Sequence, residues 1–259
     1  MIIDTHVHLD DTRYSDDLEE VLKRANEKEV NFALIPGADP KDLPRAVEIC
    51  EKHKNIFFSI GVHPYHVKDF DVDYLKSFAK HPKCIAVGEC GLDYFRLPDS
   101  DEEKIKEKKL QKEVFEAHIK LAIELNKPLI IHIREASNDS KNILIENDAK
   151  KVGGVLHCYN ASDILLELDE HGFYFGIGGV LTFKNAKKLV EVLPKIPTNK
   201  LLLETDGPYL TPHPHRGERN EPAYTRLVLS KISEILEIKE SELEDMIEKN
   251  THKLFKEFS

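Results

Sequence analysis

The chain has 259 residues, 41% hydrophobic and 32% charged, the composition of an ordinary soluble globular protein with a sizeable core. A net charge of −10 works against a broad electrostatic grip on duplex nucleic acid, which shows as a basic surface, but not against a substrate whose phosphates bind directly to metal ions and which is taken by its ends or as a single strand. Cys50, Cys84, Cys90 and Cys158 include no C-x-x-C pair and read as reduced thiols, and no run reaches the roughly 18 apolar residues of a spanning helix. With no basic region and long apolar stretch at its start, the chain is expected to be cytoplasmic, without membrane association or an obligate protein partner.

Apolar runs recur along the chain at Ile2–Asp4, Phe32–Ile35, Ile56–Ile60, Ile85–Gly88, Leu129–His132, Val155–His157, Tyr174–Ile177 and Leu201–Glu204. Continuous apolar runs are the mark of parallel strands buried on both faces. Polar helical stretches separate them. Ser15–Lys28 places Leu18, Val21, Leu22 and Ala25 on one face behind a Ser15 cap, and Glu113–Leu125 repeats the pattern with Val114, Phe115, Ile119, Leu121 and Ala122. Asp99–Lys112 reads as a solvated charged loop running into that helix, and Ser241 with Glu244 as a capping box for a late helix through Met246 and Ile247. Strands alternating with helices over a chain near the barrel length of about 250 residues predict a single-domain TIM (β/α)8 barrel.

Six residues able to bind metal stand at the ends of these runs: His6 and His8 in IIDTHVHL, Glu89 in IAVGECGLDY, His132 in LIIHIR, His157 in GVLHCYN and Asp206 in LLLETDGPYL. Side chains alternate along a strand, so Asp4, His6 and His8 are expected on one face. Each residue also has a plainer reading. Glu89 at the end of an apolar strand must be paired, hydrogen-bonded or metal-bound, and His132 or His157 alone could be a core histidine satisfied by a carbonyl. Their shared position at strand ends, where barrel active sites lie, favours a metal centre. Imidazole and carboxylate donors without thiolate suit Zn²⁺, Mn²⁺ or Mg²⁺, and a carboxylate with two oxygens can bridge two ions about 3.5–4 Å apart.

The ordered motifs DTHVHL, GVHP, GECGLDY, HIR, HCY, GIGG, ETDGPYLTP and HRGERNEP together resemble the TatD family of metal-dependent deoxyribonucleases, across essentially the whole chain. The resemblance implies a TIM barrel of the amidohydrolase-like kind and Mg²⁺-type hydrolysis of DNA, often from an end. It also implies one ion on His6, His8 and Asp206, a second on His132 and His157, and Glu89 between them. Two positions depart from the family pattern: Glu218 stands where lysine is common, and Tyr159-Asn160-Ala161 follows His157 where a Phe-Ser-Gly type run is usual.

Around the ligands, His63 in IGVHP is a candidate to hydrogen-bond a phosphoryl oxygen or protonate a leaving group, with loop ordering beside Pro64 as the plainer role. Arg134, on the face of His132, offers a planar fork for phosphate, or else an ion pair. His215 and Arg216, with His213 and Arg219, lie in a late loop of the kind that binds phosphate in TIM barrels, or form a charged surface loop. His66 reads as loop structure, Cys90 and Cys158 as core thiols turned away from the ligands, and Asp93 and Tyr94 as supports for Glu89. The expected reaction is attack of a metal-bound hydroxide on a phosphodiester, with Asp206 as ligand and proton acceptor and Glu89 holding two divalent ions. The rival within enzymes is metal-dependent hydrolysis of an ester or amide, such as an aminoacyl ester on RNA. A barrel kept as a binding module with structural metals is disfavoured by the absence of cysteine among the candidate ligands.

Overall fold

The computed structural model describes residues 1–258. Eight parallel strands form one sheet in chain order: β1 Ile2–Asp4, β2 Val30–Ile35, β3 Ile56–Ile60, β4 Cys84–Asp93, β5 Leu129–Arg134, β6 Gly154–Leu156, β7 Phe173–Ile177 and β8 Leu201–Leu203. The ring closes just beyond β1 and β8. There the Thr5 N–H donates to the Leu203 carbonyl at 3.1 Å, the Asp206 N–H to the His6 carbonyl at 2.9 Å and the His8 N–H to the Gly207 carbonyl at 2.8 Å. Helices α1 Leu18–Glu27, α2 Leu43–Lys52, α3 Val72–Ala79, α4 Asp101–Leu125, α5 Ser137–Glu146, α6 Lys187–Val192 and α7 Thr225–Leu236 connect or follow the strands, and α8 Glu240–Leu254 completes the chain. This is the predicted TIM-type barrel. One unit is reduced: a 3₁₀ segment, Asp163–Asp169, joins β6 to β7 in place of an α-helix.

Two apolar layers follow from strand alternation. Ile3, Leu34, Ile85, Ile130, Val155 and Leu202 fill the barrel together with Phe255 and Phe258. Phe258 packs against Phe32 and Phe57, near the starts of β2 and β3, so the C-terminal segment plugs the N-terminal end of the barrel. The opposite faces of the strands, with Val87, Leu129, Ile131, Leu201 and Leu203, pack on the helices. The C-terminal ends of the strands are thereby left free for polar residues. Among the described residues no helix is long and apolar enough to cross a membrane.

Three local expectations are corrected. The charged segment from Asp101 onward is not a loop but the first half of α4. The Ser100 hydroxyl accepts from the Glu103 N–H and donates to its carboxylate, Asp101, Glu102 and Glu103 favour the positive helix end, and Lys106 pairs with Glu102 one turn away. Ser15 does not cap α1, which starts at Leu18; its hydroxyl accepts from Arg45 instead. Ser241 lies inside α8, whose N-cap position is Lys239, so the late capping box does not form.

Candidate metal centre

The loops at the C-terminal strand ends surround a cavity of about 830 Å³, lined by His8, Glu89, His132, His157 and Asp206 among others. Glu89 reaches it through a defect in β4. Val87 pairs with Leu129 and Cys90 with Ile131, so Gly88 and Glu89 together stand opposite Ile130 alone, a β-bulge. In a regular strand Glu89 would share the helix-facing side with Val87. The extra residue turns it into the barrel and sends Cys90 to the helix-facing core. The bulge is clamped by its neighbours: the Glu89 N–H donates to the Gly37 carbonyl at 2.8 Å, and the Gly88 carbonyl accepts from the Gly37 N–H at 3.0 Å and from the Ser59 hydroxyl at 2.6 Å. Only glycine fits at 61, because a Cβ there would lie 2.3 Å from the Gly88 carbonyl carbon.

The two oxygens of Glu89 divide the surrounding histidines. Oε2 faces His6 Nε2 at 3.2 Å and His8 Nε2 at 3.9 Å, and Asp206 Oδ1 lies 3.7 Å and 3.5 Å from those same two nitrogens. Oε1 faces His132 Nδ1 at 3.0 Å, His157 Nε2 at 3.3 Å and His63 Nε2 at 3.6 Å. The structure thus brings the other five candidate ligands together around the nearly buried Glu89 carboxylate. Asp4 is not among them. β1 ends at Asp4, the chain bends at Thr5, and alternation does not carry through to His6 and His8. Asp4 instead accepts from the Thr205 N–H at 3.0 Å and the Thr205 hydroxyl at 2.6 Å, tying the end of β1 to that of β8.

The imidazole and carboxylate donors fit a divalent metal. The rings of His6 and His157 stack with centroids 3.6 Å apart at 10°, and both nitrogens of His6 and Nδ1 of His157 are buried without a hydrogen-bond partner. His6 Nε2 is near Glu89 yet not aligned for a hydrogen bond with it. A buried polar atom left unpaired costs about 1–3 kcal/mol, and an ion accepting the one ring lone pair of His6 removes part of that cost. Ligand atoms of His6, His8 and Asp206, and separately of His6, Glu89 and His157, lie within 4.8 Å of one another.

The electrostatics are those of a packed set of mutually dependent groups. Burial alone would raise the Glu89 carboxyl, but His157, His6, His63 and His132 outweigh it and hold it well below the usual carboxylate range. Asp206 is held low against burial by His8, His157 and His6. Burial is overcome at His157 by Glu89 and Glu204, at His132 by Asp93 and Glu89, and at His8 by Asp206, so all three are raised. At His6 burial and the His157 charge win, and its pKa falls. Burial likewise takes His63 down to about 3.

Behind two of the histidines stands a second carboxylate. His132 Nε2 donates to Asp93 Oδ2 at 2.9 Å, and His157 Nδ1 lies 3.3 Å from Glu204 Oε1, which accepts from the Cys158 N–H at 2.6 Å. Such carboxylates fix ring orientation and raise the basicity of the ligating nitrogen. Asp93 therefore supports His132 rather than Glu89, and the Tyr94 hydroxyl turns away to Asp139 at 2.8 Å. Glu204 is the residue that sequence reading misses. Its signal is an acid two residues before Asp206 at the end of an apolar run, faced by Gly176, where a Cβ would lie 2.2 Å from its carboxylate. Cys158, expected in the core, lines the cavity at a φ of +44°.

The outer candidates separate. His63 Nδ1 accepts from the Tyr65 N–H at 3.1 Å, so its neutral ring carries the proton on Nε2, facing Glu89. The neighbouring Val62 N–H is held at 3.0 Å by Nε2 of His118 from α4. His66 lines the cavity beside Asp39. Arg134 also lines it, exposed and with its guanidinium 3.6 Å from the Phe95 ring centroid. His215 and Arg216 are not among the lining residues. His215 stacks on Tyr224 and pairs with Glu218 at 3.1 Å, while Arg216 covers the Phe183 ring and donates to the Thr211 carbonyl at 2.9 Å. Arg219 is bound to both oxygens of Asp17, and the backbone N–H of His213 donates to the Thr182 hydroxyl. The two departures from the family pattern lie here and nearby: Glu218 braces the late loop, and Asn160 lines the cavity while donating to the Ser137 hydroxyl.

Comparison with known proteins accords with this site. Residues 3–256 match the sequence model of a family described as TatD related DNase. The uncharacterized metal-dependent hydrolase YabD of Bacillus subtilis (strain 168) is 42% identical, covering 99% of each chain. The 3′-5′ ssDNA/RNA exonuclease TatD of Pantoea vagans (strain C9-1) is 32% identical, covering 98% of this chain and 99% of its own. Among solved structures, the TatD homologue YJJV of Escherichia coli K12 superposes with a TM-score of 0.88 at 28% identity, covering 98% of both chains. The chain belongs to the TatD family and is a metal-dependent hydrolase on a TIM-type barrel.

Proposed function

We propose that this hydrolase is a one-domain nuclease that cleaves the phosphodiester bonds of DNA, trimming single strands from an end, with two divalent ions of the Mg²⁺, Mn²⁺ or Zn²⁺ kind. One observation carries the reading: Glu89 presents Oε2 to His6 and His8 beside Asp206, and Oε1 to His132 and His157, two ligand sets joined by one carboxylate. The ions would supply Lewis-acid activation of water and neutralisation of charge on the phosphoryl oxygens. Asp206, held ionised, takes the proton of the attacking water. His63, kept neutral by burial with its proton on Nε2, offers a hydrogen bond to a phosphoryl oxygen or to the departing oxygen while keeping its proton. Arg134 binds a phosphate at the cavity edge. The exonuclease name borne by the Pantoea vagans relative supports a nucleic-acid strand as substrate.

The test is product analysis on oligonucleotides labelled at the 5′ or the 3′ end, across a series of metals, with an aminoacyl ester assayed in parallel. Stepwise shortening from one end, lost in His132→Ala and Glu89→Gln, is the expected result. Undiminished cleavage by either variant would sink the mechanism, and hydrolysis of the aminoacyl ester with no cleavage of the oligonucleotide would transfer the site to acyl chemistry.

A further inference from the structure

Charge is unevenly spread over the loops at the C-terminal strand ends. Around the loops after β1 and β2 stand Asp10, Asp11, Asp39 and Asp42; Asp42 is raised by burial and then by its neighbours Asp39 and Asp11, the sign of crowded negative charge. Arg13 on that side is bound to both oxygens of Asp11. The loop after β4 and the end of β5 are the reverse. Arg24, Arg45, Arg216, Arg219 and Arg226, like Arg13, each donate to an oxygen of the protein. The guanidinium groups of Arg96 and Arg134 make no ion pair or hydrogen bond among the described residues. Both are exposed and both line the cavity. Each rests on an aromatic face: Arg134 lies 3.6 Å from the Phe95 centroid and Arg96 5.4 Å from that of Tyr65. The Tyr94 N–H donates to the Arg134 carbonyl at 2.9 Å, which seats the segment carrying Phe95 and Arg96 on the end of β5. The rings are open to solvent, Phe95 at 50% and Tyr65 at 41%. Tyr65 packs edge-on to His63, and His63 to His132, so an unbroken line of rings runs from this rim to the ligands.

In a chain of net charge −10, two unpaired guanidinium groups set beside open ring faces at one side of a cavity suit a strand of alternating phosphates and bases. We infer that Arg96 and Arg134 form a subsite for the backbone phosphate next to the scissile one, and that Phe95 and Tyr65 offer ring faces to the adjoining base. The strand enters over the loop after β4 and the end of β5. This rests on the phosphodiesterase reading above and adds to it the residues that make the enzyme prefer a strand to an isolated diester.

The experiment compares kcat/KM for hexathymidylate with that for bis(p-nitrophenyl) phosphate, which has a scissile diester but no neighbouring phosphate or nucleobase. A hexamer of abasic sugar phosphates forms a third arm, and salt is varied throughout. For Arg96→Ala the ratio of hexathymidylate to the simple diester falls at least tenfold, mainly through KM, and is largely restored in Arg96→Lys. The salt dependence of the hexamer becomes shallower by about 0.7 in log–log slope for each arginine removed. For Phe95→Ala the preference for hexathymidylate over the abasic hexamer falls about fivefold or more, with the salt slope retained. Cleavage of all three substrates with ratios and slopes unmoved by Arg96→Ala overturns the subsite and leaves the proposed function standing. A wild-type enzyme inert on every diester overturns that function, and the subsite with it.

Discussion

Two basic segments flank the C-terminal end of this barrel, and they are built to opposite ends. The loop after β8 carries His215, Arg216 and Arg219, and each is engaged by the protein: on Tyr224 and Glu218, on Phe183 and the Thr211 carbonyl, and on Asp17. The same loop is fastened by Asn220, whose carbonyl accepts from the Tyr14 hydroxyl, and by Glu221, which holds Arg24. The loop after β4 and the end of β5 carry Arg96 and Arg134, whose guanidinium groups rest on ring faces and have no oxygen partner among the described residues. Positive charge in the first loop braces the wall of the site, while in the second it is left available to a ligand. A basic cluster therefore says little about function until the partners of each cation are known.

The candidate metal centre forms the floor beneath both rims, and the largest effects should come from breaking it. Glu89→Gln weakens the carboxylate that both ligand sets share, and kcat/KM on an oligonucleotide should fall on the order of a thousandfold. Chelation should abolish activity in the wild type, and titrating Mg²⁺, Mn²⁺ or Zn²⁺ back should restore it there but not in the variant. Next come the carboxylates behind the ligands. Asp93→Asn and Glu204→Gln leave every ligand in place, yet should weaken metal binding or activity by roughly ten- to a hundredfold. Measuring activity against metal concentration separates the cases. A lost plateau that excess metal recovers is the expected signature, and a wild-type curve for both variants would remove these carboxylates from the centre.

Much of that floor is legible in the sequence, and what escapes does so for a physical reason. His132 and His157 follow apolar runs whose alternation points them inward with Ile130 and Val155, so the strand rule suffices. Glu89 defeats the rule. Counting from Val87 sends it outward, and only the bulge against Ile130, made possible by the glycines at 61 and 88, reverses it. His6 and His8 reach Glu89 by a bend after Asp4, so the sequence offers the ligands while misstating how they are aimed. The partners Asp93 and Glu204 depend on which nitrogen of each ring faces inward, a fact of three-dimensional packing. The rims are least legible of all. The direction of Arg216 is set by Phe183, and that of Arg219 by Asp17, residues far away in the chain.

Substitution of one cation on each rim tests the contrast directly. Arg134→Ala removes a charge that contacts no oxygen of the protein, so the fold should tolerate it. Loss of one charge-assisted hydrogen bond to phosphate, worth about 1.5 kcal/mol, should lower kcat/KM on an oligonucleotide about tenfold. Arg216→Ala should do the opposite, lowering the thermal midpoint while kcat/KM stays within about twofold. Equal losses of activity in the two variants would erase the distinction between the rims.

The smallest effect is expected at Arg219, and it defines how far bracing can be told from binding. Its guanidinium donates to both oxygens of Asp17 at 2.7 and 2.6 Å and to the Arg13 carbonyl at 2.6 Å, and it lies 4.8 Å above the Tyr14 ring. The pair is partly exposed, so solvent screens it and the ionic contribution is at most about 1 kcal/mol. Contact with the ring adds a similar amount at most. Arg219→Ala should therefore cost about 1 kcal/mol in denaturant unfolding. Because Asp17 immediately precedes α1 and Arg219 lies in the loop after β8, the loss should appear as faster amide exchange in residues 12–17 and 215–221. A changed salt dependence of oligonucleotide cleavage in this variant, with stability intact, would move Arg219 from the wall of the site to its ligand-facing side.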